Sequence, residues 1–102
     1  MSVVVVVTAI PVPEHRTDVI KAFEAAIVGV HNEPGVELYA LHEGRDRLVM
    51  IEKYESEQAR SEHSKGAALA DLLSVLDGKL SRPLDAQFLM PHPAGNTRKG
   101  AL

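Results

Sequence analysis

The chain has 102 residues, enough for one hydrophobic core and too few for a second. Its hydrophobic content of 45% and charged content of 25% suit an ordinary globular domain, and with 4% aromatics and no Trp the core must be aliphatic. A net charge of −3 offers no basic patch to nucleic acid or an anionic membrane, and the lack of Cys excludes disulfides and thiol chemistry.

Residues 3–7 are five consecutive valines. No cationic stretch precedes them, and Pro11 and Pro13 end the apolar segment, so it does not read as a signal peptide. No run reaches the length of a membrane span, and the expectation is a soluble cytoplasmic protein. β-Branched side chains disfavour helix and suit a pleated strand. Alternation then makes this strand apolar on both faces. The protein's own helices cover one face, and the other calls for a second subunit, hence a homodimer.

After Pro13 the period changes. Ile20, Phe23, Ile27 and Val30 recur at helical spacing, predicting an amphipathic helix from near Pro13 to near Asn32. Pro13 fits a first turn, and Pro34 and Gly35 stop the helix and turn the chain. Residues 36–42 and 48–54 read as a hairpin around Glu43, Gly44, Arg45 and Asp46, with Gly44 supplying an unusual φ. Ser56 is an N-cap for a short helix through Glu62. Leu69, Leu72, Leu73, Leu76 and Leu80 form another helical stripe, which Gly78 weakens or ends. Beyond Arg82 and Pro83, Leu84, Ala86, Phe88 and Met90 alternate with Asp85, Gln87 and Leu89 in a last strand.

This order, β-α-β-β-α(α)-β, predicts an α+β, ferredoxin-like fold: a four-stranded antiparallel sheet with helices on one face. Residues 1–90 make up the domain. Residues 91–102, rich in Pro, Gly, Asn and basic residues, form a flexible tail or an arm on a neighbour.

Leu48, Met50, Glu52 and Tyr54 share one face of their strand, placing a carboxylate and a phenol beside apolar neighbours, as in a pocket with a few fixed polar groups. Glu52 reads first as a buried acceptor that must have a partner. Tyr54 is either a pocket residue or a core aromatic with its hydroxyl at the rim. His63 closes the short helix, either as a base whose tautomer Glu52 would fix or as a capping residue. Tyr39 and His42 have opposite parity and cannot share a pocket without a bulge; His42 belongs to the surface. His31, four residues after Ile27, points at the same cavity or ends as a core-edge residue. The five histidines form no metal-binding spacing, and neither a nucleophile elbow nor a phosphate-cradling or dinucleotide glycine motif is present.

Taken together, the helix, the Glu33-Pro34-Gly35 turn, a strand with Tyr39, Glu52-Lys53-Tyr54 and then His63 resemble the antibiotic-biosynthesis-monooxygenase family, over roughly residues 3–90. The resemblance implies a dimeric α+β barrel and a cofactor-independent monooxygenase acting on a small aromatic, quinol-like or polyketide-like substrate. Under it, His63, Tyr54 and Glu52 are the catalytic candidates, with Glu52 orienting His63. Tyr39, Met50 and His31 are the substrate-contact candidates. Haem-degrading relatives use a pocket Trp with Asn and His, and this chain has no Trp. An isomerase of a small hydroxy-ketone is the alternative; a phosphorylated ligand would need a cation, which Lys53 has the wrong parity to supply and which Arg60 and Lys65 reach only from the helices. A non-catalytic ligand-binding dimer is the third possibility.

Overall fold

Residues 2–102 are described by a computed structural model, in which the valine segment forms strand β1 (Val3–Ala9). Pro13–His15 make a single 3-10 turn, and the long helix α1 runs Arg16–Val30. It starts and stops a little inside the range its periodicity predicts, so His31 falls beyond its last regular turn. The hairpin is β2 (Val36–Glu43) and β3 (Leu48–Tyr54). Helix α2 (Glu57–Ser64) begins where Ser56 Oγ accepts the Ala59 N–H at 3.1 Å. Helix α3 (Ala67–Leu76) follows Gly66, and β4 (Asp85–Leu89) ends the sheet.

The strands are antiparallel in the order β2-β3-β1-β4. The fold class is thus the expected α+β, ferredoxin-like one. Register fixes the faces: Val3, Val5, Val7 and Ala9 oppose Tyr54, Glu52, Met50 and Leu48, and all look toward the helices. There Val7, Ala9, Leu48 and Met50 meet Val19, Phe23, Ala26 and Val30 of α1 and Leu72 and Leu76 of α3 in the main core, while Val5 and Tyr54 pack with Ala59 of α2 in a second cluster. Val4, Val6, Val49 and Ile51 lie on the other face, joined by Leu38 and Ala40. Among the described residues no helix covers that face. Lys53, which belongs to it, donates to the Leu102 carbonyl at 2.7 Å, bringing the end of the tail against β3. Among the described residues no helix is long and apolar enough to cross a membrane.

The hairpin loop corrects one expectation. The glycines with positive φ are Gly35, Gly78 and Gly95, and Gly44 is not among them. The loop is tied instead by the Gly44 N–H to the Arg47 carbonyl at 2.8 Å. Arg16 anchors it from α1, donating to the carbonyls of Gly44 at 2.8 Å and Arg45 at 3.2 Å.

Candidate active site

Between the helices and the sheet lies a cavity of about 200 Å³. Apolar residues from every layer wall it, among them Val5, Val7, Leu69, Leu72, Leu84 and Ala86. Its polar groups are Tyr39, Glu52, Tyr54, Arg60, His63 and Ser64.

The backbone explains how they meet. A bulge between Val36 and Leu38 resets the alternation of β2, so that Tyr39 turns inward opposite Glu52. His42, three residues on, faces outward and is exposed, as its parity requires. On β3, Glu52 and Tyr54 point to the same side, and the Tyr54 hydroxyl donates to Glu52 Oε1 at 2.6 Å. Gly35, at φ 81°, turns the chain between α1 and β2, and a Cβ there would stand 2.6 Å from the Ala59 Cβ. Only glycine lets α2 seat this closely on the turn that carries Glu33. His63, one turn along α2 from Ala59, therefore reaches Glu33.

That contact replaces the expected one. His63 Nδ1 lies 2.8 Å from Glu33 Oε1, with the two side chains only 7% and 21% exposed. Glu52 does not orient His63; its bonded partner is Tyr54, because both point the same way from one strand. A carboxylate only accepts, so Nδ1 carries the hydrogen, and whenever the ring is neutral Nε2 keeps its lone pair. Among the described residues Nε2 has no hydrogen-bond partner, yet no buried side-chain polar atom lacks one, so Nε2 keeps some exposure on a residue that lines the cavity. The same holds for the Tyr39 hydroxyl. The rings of Tyr39 and Tyr54 flank the imidazole with centroids 5.5 and 5.4 Å away.

Burial raises the pKa of Tyr39, and the Glu52 and Glu33 carboxylates raise it further. Tyr54 is raised by burial and then by its contact with Glu52. Both phenols therefore stay protonated donors at neutral pH. Glu52 is itself raised by burial, with the Tyr54 hydrogen bond and His63 opposing the shift.

Two expected contact residues lie elsewhere. Met50 is on the helix-facing side of β3 but packs into the main core, 1% exposed, and does not line the cavity. His31 is exposed beyond the end of α1, and its Nε2 lies 3.0 Å from the Tyr39 carbonyl. It touches the backbone of a cavity residue and not the cavity. Glu33, read from sequence only as part of a turn, is the residue sequence reasoning missed. Its one sequence signal is its place directly before Pro34-Gly35, which fixes it at the helix end. Among the described residues no three side chains of metal-ligating type converge.

The family model described as antibiotic biosynthesis monooxygenase matches residues 2–72. Rv0793 from Mycobacterium tuberculosis is similar in structure, with 26% identity, a TM-score of 0.87, and coverage of 94% of this chain and 100% of that one. A conserved protein from Methanosarcina mazei shares the fold at 16% identity, covering 87% and 91% of the two chains with a TM-score of 0.83. So does a solved antibiotic biosynthesis monooxygenase at 16% identity, covering 89% and 99% with a TM-score of 0.82. No protein of curated function matches the chain.

Proposed function

The chain belongs to the antibiotic biosynthesis monooxygenase family, and from that membership and the cavity we propose a cofactor-independent monooxygenase acting on a small, quinol-like aromatic. The observation that carries this reading is the Glu33–His63 pair, which leaves an imidazole lone pair on a residue lining an apolar cavity, beside the unpartnered Tyr39 hydroxyl. Size points the same way: an apolar cavity of about 150 Å³ holds benzene, so one of about 200 Å³ holds one substituted ring. A polycyclic substrate would extend beyond it.

In this reading His63 Nε2 takes the phenolic proton of the quinol, and Glu33 holds the resulting imidazolium in place. The Tyr39 hydroxyl donates to the phenolate oxygen. The phenolate gives one electron to O₂, and the two radicals combine at the ring carbon beside that oxygen. The imidazolium returns its proton to the terminal peroxide oxygen. Cleavage of the O–O bond with loss of the ring C–H expels water and leaves a new carbonyl. For hydroquinone the sum is quinol plus O₂ giving hydroxyquinone plus water. Apolar walls keep bulk water from the charged intermediates. Glu52 and Tyr54 bind one another and form the floor of the site.

The reading includes a homodimer joined through the sheet face that no described helix covers. Val4, Val6, Val49, Ile51, Leu38 and Ala40 give that face its apolar character, and the interface should be of the obligate class, about 2,000 Å² or more in total. Oxygen uptake with hydroquinone, by the wild type and by His63→Gln, tests the activity. Uptake above the uncatalysed rate that His63→Gln abolishes supports it; equal rates refute it.

A further inference from the structure

Arg60 has no part in the chemistry above, yet it lines the same cavity and is the only lysine or arginine among the residues that do. It sits three residues before His63 on α2, so the two side chains leave the same face of the helix as neighbours. Its guanidinium lies 5.1 Å from the centre of the Phe88 ring, another cavity residue, which supports the cation from the β4 side. Glu57 Oε1 accepts from Nε at 2.7 Å and lies 2.6 Å from Nη2, which fixes the plane of the group. Nη1 has no protein partner among the described residues. The Glu57 side chain is 67% exposed, so water screens its charge and the pairing does not cancel the cation on the cavity side.

An arginine with one edge pinned, one face on an aromatic ring and one nitrogen free suits a carboxylate, which accepts in the plane of the guanidinium. We infer that Arg60 selects an anionic substituent, and that the substrate is a phenol or quinol bearing a carboxylate on the ring, with the carboxylate on Arg60 and a hydroxyl on His63. This rests on the cavity being the substrate site, as set out above.

Isothermal titration of the full chain with hydroquinone, 2,5-dihydroxybenzoate and benzoate separates the possibilities. The wild type should bind 2,5-dihydroxybenzoate about tenfold more tightly than hydroquinone, the scale of one charged hydrogen bond. Arg60→Gln should erase that ratio while leaving hydroquinone binding unchanged, which also shows that the variant is folded. Arg60→Lys should keep part of the preference, because it keeps the charge and loses the planar fork. Benzoate carries the anion without a phenol: its binding by the wild type and loss in Arg60→Gln sustain the anion site even where no quinol is oxidised. An unchanged ratio in Arg60→Gln overturns the inference. Failure of all three compounds to bind overturns it together with the reading of the cavity.

Discussion

Replacing Glu52 and Tyr54 one at a time tests whether their bond belongs to the fold rather than to the chemistry. The Tyr54 side chain is fully buried, and its hydroxyl donates to Glu52 at 2.6 Å. Glu52→Ala leaves that donor without an acceptor, and a stranded buried donor costs about 1–3 kcal/mol. For a domain of this size each kcal/mol lowers the melting temperature by about 4–8 °C, so a fall of roughly 5–20 °C is expected. Glu52→Gln keeps an acceptor for the hydroxyl and removes only the buried charge. Burial holds the Glu52 pKa above its ordinary value of 4.5. The stability this group contributes is therefore fully present below that value and is lost as pH rises through the higher folded value. Glu52→Gln lacks that loss and should gain on the wild type as pH rises above 4.5. Tyr54→Phe strands the carboxylate instead, so it should destabilise, and more so at the higher pH where Glu52 is charged. Thermal melts of the four proteins followed by circular dichroism provide the assay. Wild type and Glu52→Gln running parallel across the pH range, with Glu52→Ala as stable as either, would refute the reasoning.

Three further outcomes follow from the same geometry. Tyr39→Phe removes a hydroxyl with no protein partner, so melting should hardly change while turnover of a bound quinol falls about 10²–10³-fold, as for a lost oxyanion donor; steady-state kinetics beside a melt check both. Glu33→Ala should cost about 1–3 kcal/mol in urea denaturation by leaving His63 Nδ1–H unpaired, and Glu33→Gln much less because it still accepts. Ile51→Arg should break the proposed dimer in sedimentation experiments, whereas removing residues 91–102 should leave the fold and that dimer intact, since the tail's described side-chain anchor is one hydrogen bond from Lys53.

Periodicity together with the turn residues was enough to predict the four-stranded sheet. Five valines in a row do not say which of Val4 and Val5 looks inward; the antiparallel register with β3 does, setting Val5 opposite Glu52, whereas Glu52 and Tyr54 fall on one side by strand parity alone. Position along a face is a different matter. Met50 has the right parity, but parity does not say which end of a strand meets a cavity, and α1 fills the space above it with Phe23 and its neighbours. His31 follows the helical period of α1 only if the helix continues, and it stops at Val30. The Glu33–His63 pair spans thirty residues and depends on how closely α2 seats against Gly35. That is a packing distance, and no spacing in the sequence encodes it. Gly44 shows the reverse: a glycine in a hairpin loop suggests positive φ, and here two arginines stabilise the loop without it.

The central claim is that His63, held by Glu33, activates a phenol for direct reaction with O₂. The most direct test is a reaction of hydroquinone under isotopically labelled dioxygen, with wild type and His63→Gln compared by mass spectrometry of the product. One labelled oxygen in the hydroxyquinone formed by the wild type, with none above the uncatalysed background from His63→Gln, is the predicted result. A product without label, or equal labelling by both proteins, would contradict it.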